Sequence, residues 1–110
     1  MTHEFTVRNL GQFPKGWVVG HFPEALLHCD EAEVAIKHYK AGDYEPTHVH
    51  KVADEITIVI DGMIKMQGLT YCNNDVILMP KGMSTDFQAL TDVTTCVIKL
   101  PSVKGDKYLV

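Results

Sequence analysis

The chain has 110 residues, enough for one domain with one core and too few for two. Its apolar share of 45% is that of an ordinary globular protein and argues against a disordered one. A formal charge of −4, with no basic cluster, argues against nucleic acid and anionic membrane as partners.

The first thirty residues carry little signal. Residues 4–7 read as a short strand. Gly11, Pro14, Gly16, Gly20 and Pro23 then punctuate a region of loops and short extended pieces. Phe13, Trp17 and Phe22 are expected to pack against an open sheet face, the alternative being a lid over a pocket. Residues 24–28 read as extended. Met1 to Thr6 offers neither a basic region nor an apolar segment, so no secretory signal is expected. Three scattered cysteines, Cys29, Cys72 and Cys96, fit reduced thiols and a cytoplasmic location better than a disulfide framework. The longest apolar run, residues 56–60 and itself broken by Thr57, is far shorter than the ~18 residues of a membrane-crossing helix. His3, His21 and His28 carry no spacing signal and read as surface or loop histidines.

Residues 33–39 alternate as a strand, with Val34, Ile36 and His38 on one face and Ala35, Lys37 and Tyr39 on the other. The next stretch organises the chain. His48 and His50 stand one residue apart, so in a strand they share a face, with Cα atoms about 6.6 Å apart. Glu55 follows after a short polar link and opens a β-branched run. If that run folds back antiparallel to the histidine strand, Glu55 meets both imidazoles. Two His and one carboxylate on adjoining strands make the facial triad of non-haem iron and related divalent metals.

The run over residues 55–60 carries Ile56, Ile58 and Ile60 on one face, which a solvated sheet would not. A cover is required, either the N-terminal aromatics or a second copy of the chain, hence a homodimer. Asp61-Gly62 reads as a type I′ hairpin turn leading into residues 63–67. Further strands are expected at 69–72, 75–79, 84–90 and 93–100, with turns at Asn73-Asn74, Pro80-Lys81-Gly82 and Thr91-Asp92. The terminal Tyr108-Leu109-Val110 either docks or frays. Short strands between close-set turns, with hardly a helix, indicate an all-β antiparallel sandwich or small barrel.

Residues 42–62 resemble the first signature of the cupin superfamily: Gly42, five residues, His48-x-His50, four residues, Glu55, six residues, Gly62. The resemblance implies an antiparallel double-stranded jelly-roll β-barrel filling residues 1–110. Its motif-bearing core spans 33–102, with residues 1–30 as loops and short strands covering the sheet. It also implies His48, His50 and Glu55 as ligands of a divalent metal: iron, manganese, nickel or zinc. The second cupin signature is weaker here. Asn74 stands for its Gly and Pro80-Lys81-Gly82 matches, but Thr85 replaces the fourth ligand histidine and Ala89 the closing Asn.

Three arrangements are compatible with Thr85. The metal is held by three protein ligands with water or substrate completing its shell, or Asp86 swings in as a fourth ligand through a bulge, or the metal is lost. Cys72 or Cys96 is a further conceivable ligand, Cys96 only if it faces the barrel. Small cupins of this shape include dioxygenases, isomerases and lyases acting on a small polar molecule such as a sugar or keto acid. In that reading Asp86, His38 and Tyr71 are the acid–base candidates. The alternative is a non-catalytic module that binds a small ligand or serves as a sensor or partner subunit.

Overall fold

The computed structural model describes residues 4–110; the reading of His3 falls outside them. Eleven strands form: β1 (Trp17–Gly20), β2 (Leu27–His28), β3 (Glu33–Tyr39), β4 (Tyr44–Val49), β5 (Asp54–Asp61), β6 (Met63–Met66), β7 (Leu69–Cys72), β8 (Val76–Met79), β9 (Ser84–Ala89), β10 (Val93–Leu100) and β11 (Tyr108–Leu109). They make a six-stranded sheet, in the order β2-β1-β3-β10-β5-β8, and a five-stranded sheet, in the order β11-β4-β9-β6-β7. Every pairing is antiparallel except β1 with β2. This is the all-β jelly-roll barrel expected. Among the described residues, no helix is long and apolar enough to cross a membrane.

The N-terminal region differs from expectation. Residues 4–9 form no strand, and two single 3-10 turns, Leu10–Gln12 and Pro14–Gly16, follow. β1 and β2 do not cover the sheet face; they extend its edge by pairing β1 with β3. Trp17 thereby reaches the barrel cavity, while Phe13 is buried.

The Asp61-Gly62 turn is a corner, not a hairpin. β5 lies in one sheet and β6 in the other, so the chain changes sheet there. Gly62 has φ +108°, and a Cβ on it would stand 2.4 Å from the Asp92 carbonyl oxygen. The glycine therefore serves a backbone crossing as well as a turn. The real two-residue hairpin is Gln67-Gly68, between paired Met66 and Leu69, with φ +50° and +77°. Positive φ at both central residues is the type I′ geometry. A glutamine in the first position concealed it.

The strands that face the interior run from polar to apolar along their length. Glu55, Thr57 and Val59 succeed one another on β5; Lys99, Val97, Thr95 and Val93 on β10; Thr85, Phe87 and Ala89 on β9. The apolar ends gather Val59, Ile64, Met66, Phe87, Ala89 and Val93 into the core, with Tyr39, Tyr71, Ile77 and Met79 against it. Burying such side chains stabilises by roughly 1.5–3 kcal/mol each. The polar ends border a cavity whose floor, Tyr39, Met66 and Phe87, is the top of that core.

The outer face of the six-stranded sheet is different. Register places Ile36, Cys96, Ile58 and Val76 in one row across four strands, and Val34, Ile98, Ile56 and Leu78 in the next. Val76 and Leu78 are 65% and 62% exposed. Among the described residues the isoleucine face is thus left open, and Phe13, Trp17 and Phe22 do not close it.

Candidate metal and ligand site

His48 sits on β4 directly opposite Thr85 of β9, and His50 follows just beyond the strand end. Both are buried and line the cavity, their ring centroids 5.3 Å apart and nearly perpendicular. Glu55 belongs to β5, in the opposite sheet. It therefore approaches His50 across the barrel and not from an adjoining strand, because β4 is flanked by β9 and β11. The cavity itself holds about 60 Å³, room for a few waters or the reactive end of a small molecule.

Each imidazole is oriented through Nδ1. His48 Nδ1 donates to the Pro46 carbonyl at 2.9 Å, and His50 Nδ1 donates to the Asp106 carbonyl. A carbonyl only accepts, so Nδ1 carries the proton in both rings and Nε2 is the nitrogen left over. His50 Nε2 lies 3.4 Å from Glu55 Oε1 and, among the described residues, has no partner in hydrogen-bond geometry. The Thr57 hydroxyl donates to the other Glu55 oxygen at 3.3 Å.

Contact with Glu55 pushes the His50 imidazole above its ordinary value; burial opposes this and the Asp106 carbonyl reinforces it. For Glu55 burial is the largest influence and pushes the carboxyl up. The contact with His50, the Lys99 and His50 charges and the Thr57 hydroxyl outweigh it and leave Glu55 below the usual carboxylate range. Each partner thus favours the charged form of the other.

Asp106 fixes this corner, and nothing in its sequence context marked it. Its carboxylate accepts from the backbone amides of Lys51 (2.8 Å), Val52 (3.1 Å) and Ala53 (2.8 Å), clasping the loop between His50 and β5. Its carbonyl orients His50 at the same time. The tail docks rather than frays: β11 pairs with β4, setting Leu109 beside His48.

Glu45 also enters the cavity, although it lies three residues before His48. The β4–β9 register slips by one residue between Glu45 and His48, a bulge at Pro46-Thr47 that brings both to the same face. Proline, which cannot donate to a ladder, was the visible clue.

The bulge needed to bring in Asp86 is therefore on the neighbouring strand. β9 alternates regularly, so Thr85 lines the cavity while Asp86 turns away and accepts from the Gln67 amide at 3.0 Å. The Thr85 hydroxyl donates to the Asp86 carbonyl at 2.7 Å. His38 is exposed on the outer face and bonded to the Thr94 hydroxyl at 3.0 Å. Tyr71 packs against the core outside the cavity. Cys96 lies in the outer row and Cys72 is exposed, so neither thiol is brought to the histidines.

The donors agree in kind with a divalent cation: two imidazoles fixed through Nδ1 with Nε2 unused, and a carboxylate between neighbours that only partly satisfy it. Backbone carbonyls are the usual second partners of metal-binding histidines. Among the described residues, no group of three or more His, Cys, Asp or Glu side chains is already gathered as a metal centre; the assembled part is the His50–Glu55 pair.

Comparison with protein-family models finds no match, and comparison with curated proteins finds none. Solved structures do match. An uncharacterized conserved protein with a double-stranded beta-helix domain from Klebsiella pneumoniae is 17% identical, with a TM-score of 0.66 over 74% of this chain and 71% of that one. The DMSP lyase DddQ from Ruegeria pomeroyi is 18% identical, with a TM-score of 0.71 over 86% of this chain and 49% of that one. A sugar phosphate isomerase of the cupin superfamily from Silicibacter pomeroyi is 21% identical, with a TM-score of 0.60 over 66% of this chain and 52% of that one. The chain matches only about half the length of these last two. At this identity the likeness establishes the fold, the cupin double-stranded β-helix, and not the activity.

Proposed function

We propose that this cupin-fold chain holds a divalent metal ion at His48, His50 and Glu55 and uses it to bind, and act on, a small polar molecule. The observation that supports this most is the pair of buried imidazoles, each pinned by Nδ1 to a backbone carbonyl and each keeping Nε2 for the cavity. Two such rings beside a carboxylate are costly to bury without a cation or a shared proton. When bound, the metal supplies a Lewis acid that polarises a hydroxyl, carbonyl or carboxylate oxygen. The chain's own part is to exclude water and fix the three donors. Thr85 contributes a hydroxyl already committed to the Asp86 carbonyl, so the protein ligands number three.

A second reading is a binding module without turnover. It is favoured by the placement of Asp86, His38 and Tyr71 outside the cavity, which leaves the acid–base role without its expected holders. The free cysteines suit a reducing, cytoplasmic setting. The open isoleucine face is the contact of a homodimer, since monomers seldom expose so broad an apolar surface.

The test is elemental analysis of protein purified without added metal, for wild type and for His48→Ala combined with His50→Ala. Stoichiometric metal in the wild type and its loss in the double variant are expected. Equal metal content in both would overturn the site. Turnover of sugars or keto acids by the metal-loaded wild type separates an enzyme from a module.

A further inference from the structure

Lysines are concentrated at the cavity of a chain whose net charge is negative. The chain carries a formal −4, yet three lysines, Lys37, Lys99 and Lys107, face the cavity with two carboxylates, Glu45 and Glu55. Those carboxylates have other partners: Glu45 lies 3.9 Å from Lys107 Nζ, and Glu55 lies 3.4 Å from His50. Among the described residues, Lys37 and Lys99 have no carboxylate within ion-pair distance. Both ammonium groups rest on the same indole instead, 5.1 Å and 5.3 Å from the Trp17 ring centroid.

Sheet register explains the cluster. Lys37 lies opposite Thr95 on β10, and Lys99 lies between Glu33 on β3 and Glu55 on β5. All are inward positions, so two cations from adjoining strands converge on one wall of the barrel. A cation over an indole gains only a modest attraction, which does not replace an anion for two partly buried ammonium groups. Burial pushes the Lys37 ammonium below its ordinary value; Glu45 partly offsets this and Lys99 adds to it.

We propose that Lys37 and Lys99, over the Trp17 ring, form a subsite for the carboxylate of a small organic acid. This deepens the preceding reading and rests on it for the role of the metal, but not for the anion site itself. A planar carboxylate suits two point charges set on a planar ring, and a cavity of about 60 Å³ favours it over a bulkier phosphate ester. The unpaired lysines then select an acid over a neutral sugar, and the substrate class narrows to keto or hydroxy acids.

Trp17 is the only tryptophan, so its fluorescence reports the subsite directly. Chelator-treated protein is titrated with pyruvate, with inorganic phosphate and with neutral glycerol. Saturable quenching by pyruvate is expected, at least tenfold weaker for phosphate and absent for glycerol. Lys37→Met and Lys99→Met keep the aliphatic stem and should each weaken pyruvate binding tenfold or more, with urea midpoints and metal content unchanged. An unaltered pyruvate response in both variants, tighter binding of phosphate, or no saturable response in the wild type overturns the proposal. Failure of the metal reading shows instead in the elemental analysis of the histidine variants, leaving this titration intact.

Discussion

Replacing Asp106 with alanine removes the clasp between the chain's tail and the loop that leads from His50 to β5. The amide of Ala53, itself 1% exposed, would lose a charged acceptor at 2.8 Å. Such a bond contributes about 1.5–3 kcal/mol. The Lys51 and Val52 amides are only partly buried and can turn to water, so they add about 0.5 kcal/mol each. The total is about 3 kcal/mol. With a urea slope of about 1.5 kcal/mol/M, the midpoint of unfolding falls by about 2 M at unchanged slope. Asp106→Asn, which keeps one acceptor oxygen but points a donor at the amides, should lose about half as much. The pH dependence has a defined sign. Burial pushes the Asp106 carboxyl up, but the amides of Ala53, Lys51 and Val52, with the His50 charge, outweigh it and hold it below its ordinary value. Its contribution is therefore full above the unfolded value of about 3.9 and is lost as pH falls through the lower folded value. Wild type and Asp106→Ala should differ equally at pH 7 and pH 5 and converge below about pH 4. Equal midpoints at pH 7, or a gap that persists undiminished into acid, would refute the clasp.

Thr95→Val should stabilise by about 1 kcal/mol, because the buried Thr95 hydroxyl has no hydrogen-bond partner among the described residues; calorimetry should show Tm up by about 4 °C. Gly62→Ala forces a Cβ toward the Asp92 carbonyl at a φ of +108° and should cost about 2–4 kcal/mol in urea unfolding. Ile58→Lys, in the middle of the outer apolar row, should turn a dimeric mass in light scattering into a monomeric one while leaving the far-UV spectrum unchanged; a monomeric wild type would remove the dimer.

Alternation made most of the barrel readable. Strands such as β3, β5 and β10 announce themselves through β-branched runs between turn residues, and the His48-x-His50 spacing places both rings on one face. What escaped depended on partners distant in the chain. Asp61-Gly62 has the composition of a hairpin, but the choice between hairpin and corner is made by the Asp92 backbone packed against it. Lys37 and Tyr39 were already assigned to one face of β3, opposite His38. Only sheet pairing shows that theirs is the inner face. Glu45 was hidden by a one-residue slip that no periodicity predicts, and Asp106 acts on a loop fifty-three residues upstream of it.

The polar-to-apolar run of the inward side chains has an evolutionary consequence. Strands such as β5, β9 and β10 give one end to chemistry and the other to cohesion, so the two can vary separately. Exchanging Thr57, Thr85 or Lys99 alters what the barrel accepts, while Val59, Ile64 and Ala89 go on holding the sheets together. A scaffold divided in this way can be retuned to a new guest by editing one end only.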